Sequence, residues 1–136
     1  MNKRWLIWGA VLALSAVATG ALGDHLIQPK LLEWFPNDAE KRIANWEVAS
    51  RYLFFHALAI CIVGLLPRQV PRRGANLVGM LFSVGVFLFC GCLFGYVVSD
   101  QKWLVHVVPL GGLSFMFGWL ALIVTVARAE RSEGKL

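Results

Sequence analysis

The chain has 136 residues, 58% of them hydrophobic and only 15% charged, with a formal net charge of +5. A soluble domain is about 45–50% apolar and about 25% charged, and a disordered chain is poor in aromatic and branched residues, so neither class fits. The Lys and Arg residues form no dense stripe with polar neighbours, which excludes nucleic acid as a partner; they sit in short stretches between long uncharged runs, as in a polytopic membrane protein.

Four runs are long enough to cross a bilayer, which takes about 20 mostly apolar residues. In lipid each backbone N–H and C=O must be bonded within its own segment, so the spans are helices. Their expected limits are about 5–22, 38–66, 75–98 and 103–127, within a single membrane domain. The first run, opened by Lys3-Arg4 and closed by Ala18-Thr19-Gly20-Ala21, also has the outline of a secretory signal peptide. Its length and the three spans that follow favour an uncleaved first helix.

Between the first two spans, Pro36-Asn37-Asp38-Ala39-Glu40 reads as a helix start, with Asn37 as N-cap and Glu40 completing a capping-box-like exchange. Ile43, Trp46, Ser50 and Leu53 then recur at helical spacing, so an outer amphipathic segment is expected to run straight into the second span. Ahead of it, Leu31, Leu32, Trp34 and Phe35 form an apolar patch suited to the membrane interface. The second run stops at Pro67.

Orientation follows from the Lys and Arg residues. Lys3, Arg4, Arg68, Arg72, Arg73, Arg128, Arg131 and Lys135 fall on one side and are read as cytoplasmic, which puts both termini inside. Lys30, Lys41, Arg42 and Lys102 fall outside, with Arg51 at the outer mouth of the second span. The basic balance thus reflects topology.

Small residues four apart, such as Gly79 with Ser83, Gly91 with Gly95, and Ser114 with Gly118, allow close backbone approach where lipid supplies no hydrophobic drive. Helix packing is therefore assigned to Gly79, Ser83, Gly91, Gly95, Gly112 and Gly118. Pro109-Leu110-Gly111-Gly112 removes one backbone donor and loosens the fourth helix, so a kink or a short unwound entry is expected there.

Ionisable groups near the membrane carry the functional signal. His25, Arg51, His56 and His106 all fall at the outer side and form the candidate polar pocket, for a metal, haem, quinone or small anion. No two histidines are three or four residues apart, so the spacing carries no metal signature. The alternative for each is an interfacial residue or a buried hydrogen bond, with Arg51 pairing with Asp24, Glu47 or Asp100. Every Asp and Glu lies in a loop or at a helix end, which leaves no embedded carboxylate for proton-coupled export. Cys61, Cys90 and Cys92 lie within apolar runs and form no disulfide framework. No catalytic constellation emerges and no cofactor is expected.

Four ordered elements, Gly20-Ala21-Leu22-Gly23-Asp24-His25, Arg51-Tyr52-Leu53-Phe54-Phe55-His56-Ala57-Leu58-Ala59, Phe89-Cys90-Gly91-Cys92-Leu93-Phe94, and Pro109-Leu110-Gly111-Gly112 with Gly118-Trp119, resemble a family of small bacterial inner-membrane proteins. That family is catalogued as domain of unknown function 423, with eukaryotic relatives called transmembrane protein 256. The resemblance implies four membrane helices and no established activity. This chain departs from the family pattern at Asp24, Leu53, Cys90 with Cys92, and Val108.

The leading expectation is an all-α, integral membrane four-helix bundle of the bacterial inner membrane, non-enzymatic, embedded in the lipid bilayer as an accessory subunit of a homo-oligomer or larger membrane complex. The alternative is a binding or transport protein built around the outward-facing polar pocket.

Overall fold

The computed structural model describes residues 1–133; Lys135, assigned to the cytoplasmic side by its charge, lies outside the described residues. Among those residues the chain is all helical. Four helices are long and apolar enough to cross a membrane: α1 (Lys3–Trp34), α2 (Ala39–Leu65), α3 (Arg72–Ser99) and α4 (Trp103–Glu133).

Two of them change pitch on the way. Helix α1 is α-helical over Lys3–Leu22, passes through a π-helical turn at Gly23–Ile27, and resumes over Gln28–Trp34. Its run therefore extends well past Leu22: a π turn re-aims the axis without exposing backbone polar groups, which membrane depth would penalise. Helix α3 does the same at Val86–Gly91. Helix α4 carries Pro109 in its interior and stays helical through it, with no unwound turn. Helix α2 begins at Ala39, with Asp38 rather than Asn37 in the N-cap position and no side-chain cap bond. The Asp38 carboxylate accepts instead from Arg42, one turn into the helix.

α1 packs mainly on α2, and α3 mainly on α4, while α2 also contacts both segments of α3. The core runs down the middle of these pairs: Leu12 and Ala16 of α1, Ala57, Ile60 and Val63 of α2, Val78 and Phe82 of α3, and Phe115 of α4. The outward faces carry large apolar side chains such as Ile7, Leu14, Phe55, Ile62, Met116 and Ile123, which hydrocarbon can solvate and water cannot.

The amino terminus, the α2–α3 turn and the last turns of α4 share one end. Asn2 N donates to Gly64 O at 2.7 Å, and a Cβ on Gly74 would meet the Thr125 side chain. Arg68, Arg72 and Arg73 thus lie at the end opposite His25, which follows Gly23, itself packed on Trp46.

The glycines divide sharply. A Cβ on Gly79 would stand 2.6 Å from the Trp5 ring, and one on Gly118 2.6 Å from the Phe82 ring, so both are at tight contacts. Ser83 contributes a hydrogen bond, accepting from Trp8 Nε1 at 3.0 Å and donating to Gly79 O at 2.8 Å. Gly95 faces Leu104. Gly91 meets nothing within 4 Å, and Gly112 meets only the Phe89 ring at ordinary contact distance. The close approach in that stretch belongs to Gly111, whose Cβ would collide with the backbone of Leu88 and Phe89 inside the π segment of α3.

Candidate functional site

Of the four residues of the expected pocket, only His56 is buried; His25, Arg51 and His106 are exposed. His56 lies one helical turn past Tyr52, and its ring stacks on Phe115 with centroids 3.5 Å apart and planes 13° from parallel. Tyr52, Phe82 and Trp119 complete the enclosure. Both ring nitrogens are occupied. Nδ1 stands 2.8 Å from Tyr52 O, and a carbonyl can only accept, so Nδ1 bears the proton. Nε2 then accepts from Trp119 Nε1 at 3.3 Å. The ring is a neutral Nδ1–H tautomer whose remaining lone pair is spent on an indole, which leaves none for a metal or haem iron. Among the described residues no cluster of three or more His, Cys, Asp or Glu could hold a metal ion. Cys61, Cys90 and Cys92 are all free thiols.

This arrangement has a testable cost. Trp119→Phe leaves Nε2 of the nearly buried His56 without its donor, and is expected to destabilise the protein by about 1–3 kcal/mol. Adding His56→Phe removes the orphaned acceptor as well, and should recover most of that loss. Unfolding of the three proteins in one mild detergent measures both steps.

The buried charge at the other end of α2 is Arg42, only 2% exposed. Its Nε donates to Asp38 Oδ2 at 3.1 Å, and its Nη2 to Asp100 Oδ1. Nη1 donates to two main-chain oxygens, Tyr96 O at 3.0 Å and Val97 O at 3.1 Å. The guanidinium lies over the Phe35 ring, 3.7 Å from its centroid, and also faces Tyr96. Helix C-termini leave their last carbonyls short of intrahelical partners, and here a cation from α2 serves two carbonyls in the last turn of α3, Val97 O and Tyr96 O, the latter also accepting from Asp100 N, where the helix dipole favours positive charge. The chain then turns at Asp100, the one non-glycine residue among those described with positive φ (56°), a conformation aspartate tolerates better than most. Asp100 thus ends α3 and returns its carboxylate to the arginine, which takes the partner that the sequence offered to Arg51.

A second apolar cluster supports the arginine: Leu31 of α1, Ala39 of α2, and Tyr96 and Val97 of α3, with Phe35 and Trp46 packed against them. Leu31 is fully buried there, whereas Leu32 and Trp34 remain exposed, so only part of the apolar patch before α2 faces outward. Trp46 Nε1 donates to Thr19 O at 2.9 Å, just before the π turn of α1. Beside the arginine opens a cleft of about 740 Å³ whose lining includes Arg42, Asp38, Lys41, Lys102 and His106, but not His25, Arg51 or His56.

Arg42 carries no motif, but its position did carry a signal. Arg42, Ala49, His56 and Val63 recur every seven residues along α2, and all four are buried. Two helical turns separate each pair, so a single face holds both the arginine and the histidine, about 21 Å apart.

Residues 19–112 match a family described as "Protein of unknown function (DUF423)". The chain belongs to this family. It is 34% identical over 122 residues to a UPF0382 membrane protein of Staphylococcus aureus (strain bovine RF122 / ET3-1), covering 90% of this chain and 93% of the relative. A UPF0382 membrane protein of Staphylococcus epidermidis (strain ATCC 12228 / FDA PCI 1200) is 31% identical over 126 residues, covering 93% and 97%. No solved structure matches. The matched region takes in the π turn of α1, Arg42, His56 and Asp100, but stops before Trp119.

Proposed function

We propose that this membrane protein is non-enzymatic: a small helical subunit that packs against itself or against a larger complex in the bacterial inner membrane. The observation that carries the reading is the state of the two buried ionisable side chains. His56 has both ring nitrogens satisfied within the protein, and Arg42 spends its guanidinium on two main-chain carbonyls and two carboxylates. Their partners lie on neighbouring helices, Trp119 for His56 and Tyr96 and Val97 for Arg42, so both side chains tie helices together. The cytoplasmic side is assigned to the end bearing Lys3, Arg4, Arg68, Arg72, Arg73 and Arg128, by the excess of cations that inner loops carry. The first turns of α2 then form an outer amphipathic segment.

The alternative, a binding or transport protein with an outward-facing pocket, is favoured by one observation: the cleft beside Arg42 has Lys41, Lys102 and His106 at its wall, groups that suit a small anion, while its two carboxylates, Asp38 and Asp100, are paired with Arg42. One purification separates the two readings. A colourless, metal-free protein that elutes as a defined homo-oligomer, or with a stoichiometric partner, is expected. Saturable binding of inorganic phosphate that is lost in Lys41→Gln with Lys102→Gln, or a visible absorption band or bound metal that vanishes in His56→Ala, would overturn it.

A further inference from the structure

At the end opposite Arg42, α1 and α3 stand apart, and the space between them is bridged by side chains. Trp5 Nε1 donates to Asn76 Oδ1 at 2.9 Å, Asn2 Nδ2 donates to the same oxygen at 3.4 Å, and Trp8 Nε1 reaches Ser83 Oγ at 3.0 Å. Above these bridges lies a groove of about 920 Å³. Lys3, Arg4, Arg68 and Arg72 line its mouth, and among the described residues no acidic side chain lines any part of it. Further in, the lining turns apolar with Trp8, Met80 and Phe87, of which Met80 and Phe87 are each 59% exposed. Trp8 and Phe87 stack with centroids 6.1 Å apart, giving that part an aromatic floor.

We propose that this groove is a binding site for one anionic phospholipid, its phosphate among Lys3, Arg4, Arg68 and Arg72 and one acyl chain along Trp8, Met80 and Phe87. Three features of the groove select that occupant. The cationic and apolar ends are separate, as the two ends of a lipid are. From Arg72 to Phe87 the lining follows α3 for about 22 Å, which spans one leaflet of a hydrocarbon core about 30 Å thick with room left for a headgroup. Among the described residues the lining carries four cations and no carboxylate, which imposes a sign, and basic pockets between membrane helices recognise acidic headgroups. A soluble anion would use only the mouth and leave the apolar length unfilled.

The test is native mass spectrometry of the full chain released from detergent loaded with phosphatidylglycerol, phosphatidylcholine or inorganic phosphate. One phosphatidylglycerol per chain is expected to be retained, saturating at that number, with phosphatidylcholine held at least tenfold more weakly. Arg68→Gln with Arg72→Gln should weaken retention of phosphatidylglycerol at least tenfold; both side chains are exposed, so the fold is not at risk. Met80→Trp, which fills the apolar part and keeps every cation, should also weaken it. Lys41→Gln, at the far end, should not. Retention that never saturates, that ignores the double Gln variant or headgroup charge, or that inorganic phosphate displaces, would overturn the proposal.

Discussion

Arg42→Ala is expected to lower the unfolding free energy by about 2–4 kcal/mol, among the largest losses from a single side chain in this protein. Breaking a buried ion pair from one side costs about 3–5 kcal/mol because the partner charge is stranded. Here that figure is reduced, since Asp38 and Asp100 are 39% and 45% exposed and keep part of their hydration. The remainder comes from the neutral partners. Tyr96 O loses one of its two donors, Val97 O loses the guanidinium, and the Phe35 and Tyr96 rings lose the cation between them. Arg42→Lys should fall nearly as far, because an ammonium cannot span two carbonyls and two carboxylates in one plane. Thermal unfolding in detergent gives the magnitude. Amide exchange gives the location, with faster exchange expected over the last turn of α3 and around Leu31. A variant within about 0.5 kcal/mol of the parent, unchanged in exchange, would mean that the arginine is not the cap of α3.

The fate of that arginine shows what the sequence does and does not reveal. Four uncharged runs separated by charged turns have one solution in lipid, so the number and nature of the spans were legible from composition alone. The charged outer segment was read through the helical spacing of Ile43, Trp46, Ser50 and Leu53, and its cations were counted as topology markers. Its inner face also carries Arg42, which lies in register with Ala49 and His56. The register could mark its face, but not what it binds: two of its acceptors, Tyr96 O and Val97 O, are main-chain atoms some 54 and 55 residues away. Main-chain acceptors leave no mark in a sequence.

The same holds for the histidine. Its depth within an apolar run was evident, but Trp119 approaches it from another helix, 63 residues on. The sequence put the three histidines at one level, but His106 is exposed beside Arg42 and His25 is exposed as well, whereas His56 is enclosed past the middle of α2, nearer Leu65 than Ala39. Nor did the sequence mark the π turns at Gly23–Ile27 and Val86–Gly91. Each adjusts a helix already fixed by its hydrophobicity, and Gly23 and Gly111, the glycines that meet Trp46 and the α3 bulge, look no different from Gly91 and Gly112 until the neighbouring helix is in place.

Gly9→Leu is expected to be comparably severe, and for a steric reason. A Cβ at Gly9 would stand 2.7 Å from the Cys61 amide nitrogen and 2.8 Å from Ala57 O, both main-chain atoms of α2. One at Gly64 would stand 2.6 Å from the main-chain nitrogen of Leu6, on α1. The two glycines thus interlock an antiparallel pair at backbone contact, the closeness on which helix association in lipid depends. A side chain at the end of a flexible stem can step aside; a helix backbone cannot. Gly9→Leu therefore has to part α1 from α2, at a cost of about 3 kcal/mol. Gly20 lies on the same helix, and a Cβ there would meet nothing within 4 Å. Gly20→Leu adds the same side chain and should leave stability within about 0.5 kcal/mol, or raise it slightly through helix propensity. Paired unfolding measurements in a single detergent separate crowding from any general effect of adding a leucine to α1. Equal losses at the two positions would show that the Gly9 contact does not hold the first two helices together.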